Sequence, residues 1–439
     1  ARHAAKPMRQ RARAIRFSAM THKAVGVAAS MANGQECLTT HKMFGLAPVR
    51  TYAGKGHVLR EKNRPKYDSG DTIIVDEASM IDKSMFDILM KHACNEDLKI
   101  LFVGDDCQLP PVVDGKEDAG QRPPVFDAAP TIKLTQVHRQ SEGSDVLALA
   151  TEIREVIDGH RDEFPKICSR GTDISVYDYA NAASRSAMNG RLRELLLSDE
   201  FRRDHNHLRL LAWTNRQVGY LNRVARKIIL GSDAKYAFSP GEVVVANKAL
   251  FLPKKRDEAR RQLADVWAAE DEFEIPDDDE KFLVASPDTS LTVMSATPTT
   301  RDYKIAEVRG HDVVVRNHDD NEYRFFVPSD WKAARTVLNA LASKAASLTR
   351  ERKQGRVAGS DVYDAWRRYY DLEEQFADLR APYACTTHKA QGSSYSHAFI
   401  WTEDLASAAG VSGSLFARLM YVAVTRARES VVFSSGLTN

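Results

Sequence analysis

The sequence predicts an α/β protein with two parallel-sheet domains, the second of them interrupted by a β-rich and helical insertion. In both halves of the chain, short apolar segments alternate with amphipathic stretches, as expected for parallel strands joined by crossover helices. Between the halves, Pro240 and Gly241 open a region of short β-type runs that precedes a long charged helical stretch.

The first domain is predicted to span residues 1–145. A polar piece containing Gly and Pro, at about 45–71, interrupts its pattern around a short apolar centre, and we expect a small inserted hairpin there. Its predicted strands are 15–20, 73–75, 100–103 and 132–134.

The second domain is predicted to be split, with a first part at 146–240 and a second part at 381–439. The insertion takes residues 241–380 and contains a predicted helical stretch from 331 to about 380. The predicted strands are 208–213, 398–401 and 431–433 in the domain and 242–246, 282–285 and 312–316 in the insertion, and a helix is predicted at 218–230.

Composition excludes several classes of protein. The 62 basic and 60 acidic residues leave a formal charge of +2, so any nucleic-acid surface must be local. The five cysteines form no CxxC pair, which argues against a zinc site or disulfide framework and indicates a reducing cytoplasm. No apolar run approaches the ~18 residues of a membrane span, so we expect a cytoplasmic protein with no membrane partner.

The sharpest chemical signal is residues 73–80 (IIVDEASM), an apolar run that ends in adjacent carboxylates. Ligands bind at the carboxyl edge of a parallel sheet. There Asp76 can hold Mg²⁺, and Glu77 can deprotonate the water that attacks a γ-phosphate. The alternative is a plain strand end with exposed acids.

A second loop of this kind follows at 101–110 (LFVGDDCQLP), where Gln108 can sense a γ-phosphate by hydrogen bonding. The alternative here is a tight turn. Together with residues 134–140 (LTQVHRQ), the two loops predict the wall of an ATPase cleft.

These blocks resemble, in order, the motifs of superfamily 1 helicases of the RecD/Dda type. The resemblance covers nearly the whole chain except the acidic run at 270–280 and the long charged helix. The matching blocks are 17–24 (FSAMTHKA, motif Ia), 38–46 (LTTHKMFGL, Ib), 75–80 (II), 103–111 (III), 134–140 (IV), 210–223 (the strand and helix after it), 385–401 (CTTHKAQGSSYSHAFIW, V) and 419–429 (LMYVAVTRARE, VI).

The resemblance implies two RecA-like domains of the P-loop NTPase type, with an SH3-like and helical insertion in the second. It implies ATP-dependent 5′→3′ translocation on single-stranded DNA and unwinding at duplex junctions, with ATP and Mg²⁺ as cofactors and replication or recombination proteins as candidate partners. The implied nucleotide-site residues are Asp76 for the metal, Glu77 as general base, Gln108 as γ-phosphate sensor, Arg139 and Arg426 as arginine fingers, and Gly392 and Ser394 beside the nucleotide.

Position 394 departs from the commonest family pattern, which has Glu there.

On the DNA side, a Thr-His-Lys pattern recurs in both halves, where small hydroxyls and amides would contact phosphates without reading bases. The implied DNA-binding residues are Thr21, His22, Lys23, Thr40, His41, Thr214, Asn215, Thr386, Thr387, His388 and Lys389, with Leu59 near the tip of a wedge hairpin. For the hairpin, a plain surface role is the alternative.

No GxxxxGK[ST] occurs in the 439 residues, and residues 53–56 (AGKG) have neither its spacing nor its Ser/Thr. Since the family carries this P-loop upstream of motif Ia, we expect an N-terminally truncated chain that does not hydrolyse ATP unaided. Two rival functions remain: a non-catalytic helicase relic that binds single-stranded nucleic acid, and an RNA-preferring superfamily 1 helicase.

Overall fold

The computed structural model describes residues 13–32, 34–50, 57–113, 116–117, 123–128, 130–134, 143–253 and 281–437. The predicted α/β class with two parallel sheets is confirmed. The helices are α1 His22–Met31, α2 Thr40–Met43, α3 Lys83–Asn95, α4 Asp145–Ile157, α5 Ala182–Leu196, α6 Asp199–Arg203, α7 Asn215–Leu230, α8 Trp331–Lys353, α9 Gly359–Gln375, α10 Thr402–Ala406 and α11 Gly413–Thr425.

Twenty strands are described, ten up to residue 212 and ten after it. The first ten are β1 Ile15–Ala19, β2 Cys37–Thr39, β3 Leu46–Arg50, β4 His57–Glu61, β5 Thr72–Asp76, β6 Lys99–Phe102, β7 Val112–Val113, β8 Lys116–Glu117, β9 Ile174–Val176 and β10 Leu208–Ala212. The others are β11 Val243–Ala246, β12 Leu250–Pro253, β13 Lys281–Ala285, β14 Ser290–Asp302, β15 Glu307–Arg316, β16 Glu322–Pro328, β17 Leu379–Arg380, β18 Ala384–Thr386, β19 Tyr395–Ile400 and β20 Ala427–Phe433.

The first sheet is parallel, with strand order β2-β1-β5-β6. Alternate residues of β5, Ile73 and Val75, are fully buried against α3, which the side chain of Asp82 caps by accepting from Met85 N. This packing delivers the residues after β5 to the carboxyl edge of the sheet.

The strand predicted at 132–134 is wrong. Residues 130–134 form no regular structure among the described residues, and Ile132 and Leu134 are 90% and 88% exposed. An alternating apolar pattern becomes a strand only where a neighbouring strand accepts its hydrogen bonds, and no described strand pairs with this segment.

The second sheet is also parallel, in the order β18-β10-β19-β20-β9. Helices α4 and α11 cover one face, and α5 and α7 cover the other. The buried Asn222 of α7 donates to Ala384 O (3.2 Å) and accepts from Ala384 N (2.8 Å), which fixes α7 to β18.

The insertion contains an antiparallel sheet in the order β16-β15-β14-β11-β17, joined to the second domain by a buried ion pair. Arg226 Nε lies 2.6 Å from Glu242 Oε1 just before β11. Two helices follow instead of one, because the chain turns at Gly355 (φ +72°) and α9 packs back on α8 through Trp366 and Ala345. No helix in the described part of the chain is long and apolar enough to cross a membrane.

Candidate functional site

Asp76 and Glu77 lie at the carboxyl end of β5, as the sequence predicted. Glu77 adopts the left-handed region (φ 55°, ψ 42°), which is rare for a residue other than glycine, and its amide donates to Asp76 Oδ1 at 2.8 Å. Strained backbone of this kind persists where surrounding structure enforces it and is concentrated at functional sites. Both carboxylates are half-buried, so they remain within reach of a ligand at the sheet edge.

The loop after β6 packs directly against the residues that follow these carboxylates in the chain. Ala78 N donates to Val103 O (2.9 Å), and a Cβ on Gly104 would lie only 3.1 Å from Ala78 N, so this position requires glycine. The same loop carries Gln108 toward the second domain. The two strand-edge loops predicted to form one wall are therefore in contact.

The loop after β6, residues 103–110, is clamped by the second domain. Arg418 of α11 donates to the backbone oxygens of Asp106 and Gln108, the latter at 2.9 Å, and Tyr421 donates to Asp105 Oδ2 at 2.7 Å. The pKa of Tyr421 is raised, first by burial and then by Asp105. Neutral Tyr421 thus remains a donor, and it helps to hold the loop against α11.

Two apolar side chains of the same loop reinforce the clamp. Cys107 and Leu109 are fully buried in the core that α4 and α11 share with the second sheet. Burial raises the pKa of the Cys107 thiol, which donates to Asp158 Oδ1 at 3.3 Å. This loop of the first domain is therefore packed as part of the core of the second.

A second contact crosses the cleft, which we define as the space between the loops after β5 and β6 and the segment after β18. Gly392 (φ +71°) approaches the first domain so closely that a Cβ there would lie 3.4 Å from Glu77 Oε1 and 3.5 Å from Ala24 Cβ. Beside it, Arg426 is buried and donates to Ser393 O at 3.2 Å, and Ser394 is half-buried. The structure thus brings Glu77, Gly392 and Arg426 to one place.

The cleft fits a polar ligand. Among the described residues, Ser79 Oγ and Gln108 Oε1 are buried without a hydrogen-bond partner. Unsatisfied polar atoms are rare in native proteins, and a phosphate with hydrated Mg²⁺ would supply both donors and acceptors. Asp76 would hold the metal and Gln108 would contact the phosphate. Arg139 lies outside the described residues.

On the DNA-facing side of the first domain, Thr21 caps α1 by accepting from Ala24 N (3.1 Å), and His22 is exposed. Lys23 donates to Tyr395 OH of the second domain at 3.3 Å. Burial lowers the pKa of Lys23. His41 is half-buried, and burial also lowers its pKa.

The prediction that Thr40 contacts DNA is wrong, because its side chain has no exposed surface and its hydroxyl bonds to Ser18 Oγ at 3.5 Å. Thr387 is wrong for the same reason: it is fully buried and donates to Ala212 O at 3.3 Å. Both hydroxyls instead fix the loops that carry their half-buried neighbours, His41 and His388.

Thr214 is a helix cap. Its hydroxyl donates to Asp404 Oδ1 (2.8 Å) and accepts from Gln217 N (3.2 Å), so both capacities are used within the protein. Asn215, the next residue, is exposed. Of these two adjacent polar residues, Thr214 therefore has a structural role and Asn215 is accessible to a ligand.

A cavity of about 240 Å³ lies where the first domain, the second domain and the insertion meet. It gathers several predicted contacts, including Lys23, Asn215, Thr386 and Lys389, while His388 lies half-buried beside them. The sequence did not indicate Arg209, Asn247 and Asp288 as part of this lining. They belong to no motif and are brought together only by the packing of the folded chain. Tyr421 did lie in a recognised block, 419–429, whereas Arg418 lies one residue before it.

The predicted position of Leu59 at the tip of the hairpin is wrong. Leu59 pairs with Pro48 in the middle of the β3–β4 ladder and packs on the core of the first domain. The turn at 51–56 lies outside the described residues. Side chains on a pleated strand alternate between its two faces, and Leu59 lies on the face that packs against the core.

Two protein families match the chain. Residues 2–167 match the AAA domain, and residues 382–434 match the UvrD-like helicase C-terminal domain. The chain is 27% identical over 435 residues to the ATP-dependent DNA helicase dda of Enterobacteria phage T4, a match covering 95% of this chain and 87% of that protein.

Further matches are more distant or shorter. The ATP-dependent RecD2 DNA helicase of Deinococcus radiodurans is 36% identical over 120 residues, or 27% of this chain and 14% of that protein. A solved structure of the Pif1 helicase from Bacteroides in complex with ADP-AlF3 and ssDNA aligns with 98% of this chain and 84% of its own length, at 16% identity and a TM-score of 0.42.

Proposed function

This chain belongs to the Dda-like superfamily 1B helicases, and we propose that it is an ATP-driven motor that moves 5′→3′ along single-stranded DNA and separates duplexes. The observation that carries the proposal is the close approach of Gly392 to Glu77 and Ala24 across the cleft. Chemistry at Glu77 and the position of the second domain are thereby linked.

In this proposal Glu77 is the general base, Asp76 binds Mg²⁺ and Arg426 stabilises charge on the transferring phosphoryl group. A Mg²⁺ ion held by Asp76 would neutralise charge on the phosphates of the nucleotide. Arg426 is supported by its hydrogen bond to Ser393 O, the residue next to Gly392. The P-loop, which the 439 residues do not contain, would supply the remaining phosphate contacts.

The clamp formed by Arg418 and Tyr421 supports a route for coupling. Nucleotide-dependent closure of the cleft would shift α11, and α11 holds the loop that carries Gln108. Single-stranded DNA would lie across both domains, in contact with Thr21, His22, Lys23 and His41 of the first domain and with Asn215, Thr386, His388 and Lys389 of the second. If the two domains gripped the DNA alternately, the DNA strand would move relative to the protein.

The test is binding of a fluorescent single-stranded oligonucleotide, measured by anisotropy at 50 and 200 mM salt. We expect affinity to fall at least roughly ten-fold between these salt concentrations, since phosphate contacts release counterions. Lys23→Ala should weaken binding several-fold, whereas Lys332→Ala, an exposed lysine on α8, should leave it unchanged. A stronger preference for RNA of the same sequence, or the absence of binding, would overturn the proposal.

A further inference from the structure

The cavity of about 240 Å³ between the first domain, the second domain and the insertion has an unbalanced charge. Its described lining contains four cationic side chains and one carboxylate, which belongs to Asp288 of the turn between β13 and β14. A cavity walled by one sign of charge concentrates counterions of the other sign. The cations are Lys23, Arg209, Arg380 and Lys389.

Two of these cations face one aromatic ring. The Arg209 guanidinium lies 4.9 Å and Lys23 Nζ lies 5.4 Å from the ring centroid of the buried Tyr395. Arg209 acts with burial to lower the pKa of Lys23, as expected for two cations close together. Among the described residues, Arg209 Nε is buried without a hydrogen-bond partner. The wall thus holds a donor that an anion would satisfy.

Asp288 reaches into this region from the insertion. It occupies the left-handed region (φ 64°), and its amide donates to Ala246 O at 2.7 Å, which fixes the direction of its side chain. Its carboxylate lies 3.1 Å from Lys389 Nζ, and Asn247 Oδ1 accepts from the same ammonium at 2.9 Å. The side chains of Lys389 and Asp288 are 37% and 44% exposed, so solvent ions can compete for either.

We propose that Asp288 holds Lys389 at the position where a backbone phosphate of single-stranded DNA binds, and that DNA must displace it. A carboxylate and a phosphate accept the same charge-assisted hydrogen bonds from an ammonium, so one can replace the other. The turn between β13 and β14 is then an internal competitor, and binding of the DNA strand breaks this one contact between the insertion and the second domain. This inference rests on the proposed function, because it assigns DNA to the same cavity.

Asp288→Asn tests the competition, because asparagine tolerates a positive φ and removes only the charge. We expect roughly two- to five-fold tighter binding of single-stranded DNA at 50 mM salt, the range for loss of an exposed ion pair. Asp320→Asn is the matched control, since Asp320 is exposed at φ 58° in another turn of the insertion. It should leave the affinity unchanged.

The gain must also depend on Lys389. In a Lys389→Ala background, Asp288→Asn should add nothing; a gain that persists there would be a general charge effect and would overturn the proposal. If Asp288→Asn proves unstable on heating, Asp288→Gly, which suits the same backbone, must show the gain instead. If wild-type protein binds single-stranded DNA as tightly as Asp288→Asn and Asp288→Gly do, the internal competitor is ruled out and the proposed function stands. If wild-type protein does not bind single-stranded DNA, the proposed function is ruled out as well.

Discussion

At the scale of the residue, the backbone of Glu77 is the most informative feature. Its left-handed conformation is held by the hydrogen bond that its amide donates to Asp76 Oδ1 and by the close approach of Gly104 to Ala78. These contacts orient the carboxylate toward the cleft before any ligand binds, and Gly392 closes the other side. Preorganisation of this kind is what a general base requires.

For this residue we predict that Glu77→Gln, in a version of the protein carrying a P-loop segment upstream of β1, binds ATP and single-stranded DNA but loses about 100-fold or more of its ATPase rate. The amide keeps the shape of the side chain and cannot accept the proton. Steady-state hydrolysis and nucleotide binding are measured on the same preparation. Glu36→Gln, an exposed change in the same domain, serves as control. Near-normal turnover in Glu77→Gln removes this residue from the mechanism.

At the scale of the element, the β3–β4 hairpin is anchored from inside the first domain. Leu59 packs with Phe44 and Leu46 in the core of that domain. At the base of the hairpin, Glu61 lies 3.0 Å from Lys91 Nζ and 3.4 Å from His92 Nε2 of α3. The hairpin is therefore held rigidly at its base, which is what a duplex-splitting element would need whichever residues form its tip.

Because Leu59 is an anchor, we predict that Leu59→Ala lowers the free energy of unfolding by about 1 to 2 kcal/mol, below the cost of a fully buried leucine. Thermal or urea unfolding measures the change. Met31→Ala, at a side chain 76% exposed, should change it little. A Leu59→Ala protein of wild-type stability that unwinds DNA slowly while hydrolysing ATP normally would restore Leu59 as the wedge.

At the scale of the whole molecule, the two parallel sheets are linked by the loop after β6. Cys107 and Leu109 extend from the first domain into the core of the second. In the described part of the chain β6 is an edge strand, and the apolar side chains of Leu101 and, just after the strand, Val103 are 54% and 41% exposed. An uncovered edge of this kind is suited to pair with a further strand. A P-loop strand supplied there would lie beside both Gln108 and the clamp.

At this scale we predict that residues 1–439 alone show no DNA-stimulated ATPase, while still binding single-stranded DNA in a salt-sensitive way. The described cleft offers Asp76, Glu77 and Gln108, but no run of backbone amides with a lysine to hold the phosphates. Phosphate release is measured with and without oligonucleotide. A chimera with the P-loop segment of a related helicase upstream should gain the activity. Robust turnover by the unextended chain would show that another loop cradles the phosphates.

The sequence by itself determined the alternation of strands and helices and the residues at strand ends, because both are local. Apolar periodicity predicts β5 with Asp76 and Glu77 after it, whatever the rest of the chain does. Only the tertiary structure decided which of these side chains reach solvent. Thr40 and Thr387 carry the same Thr-His-Lys signal as Thr21, yet neighbouring strands bury them, while Asp288 enters the cavity without any motif. Burial and electrostatic pairing depend on segments far apart in the chain, and a local pattern contains no information about them.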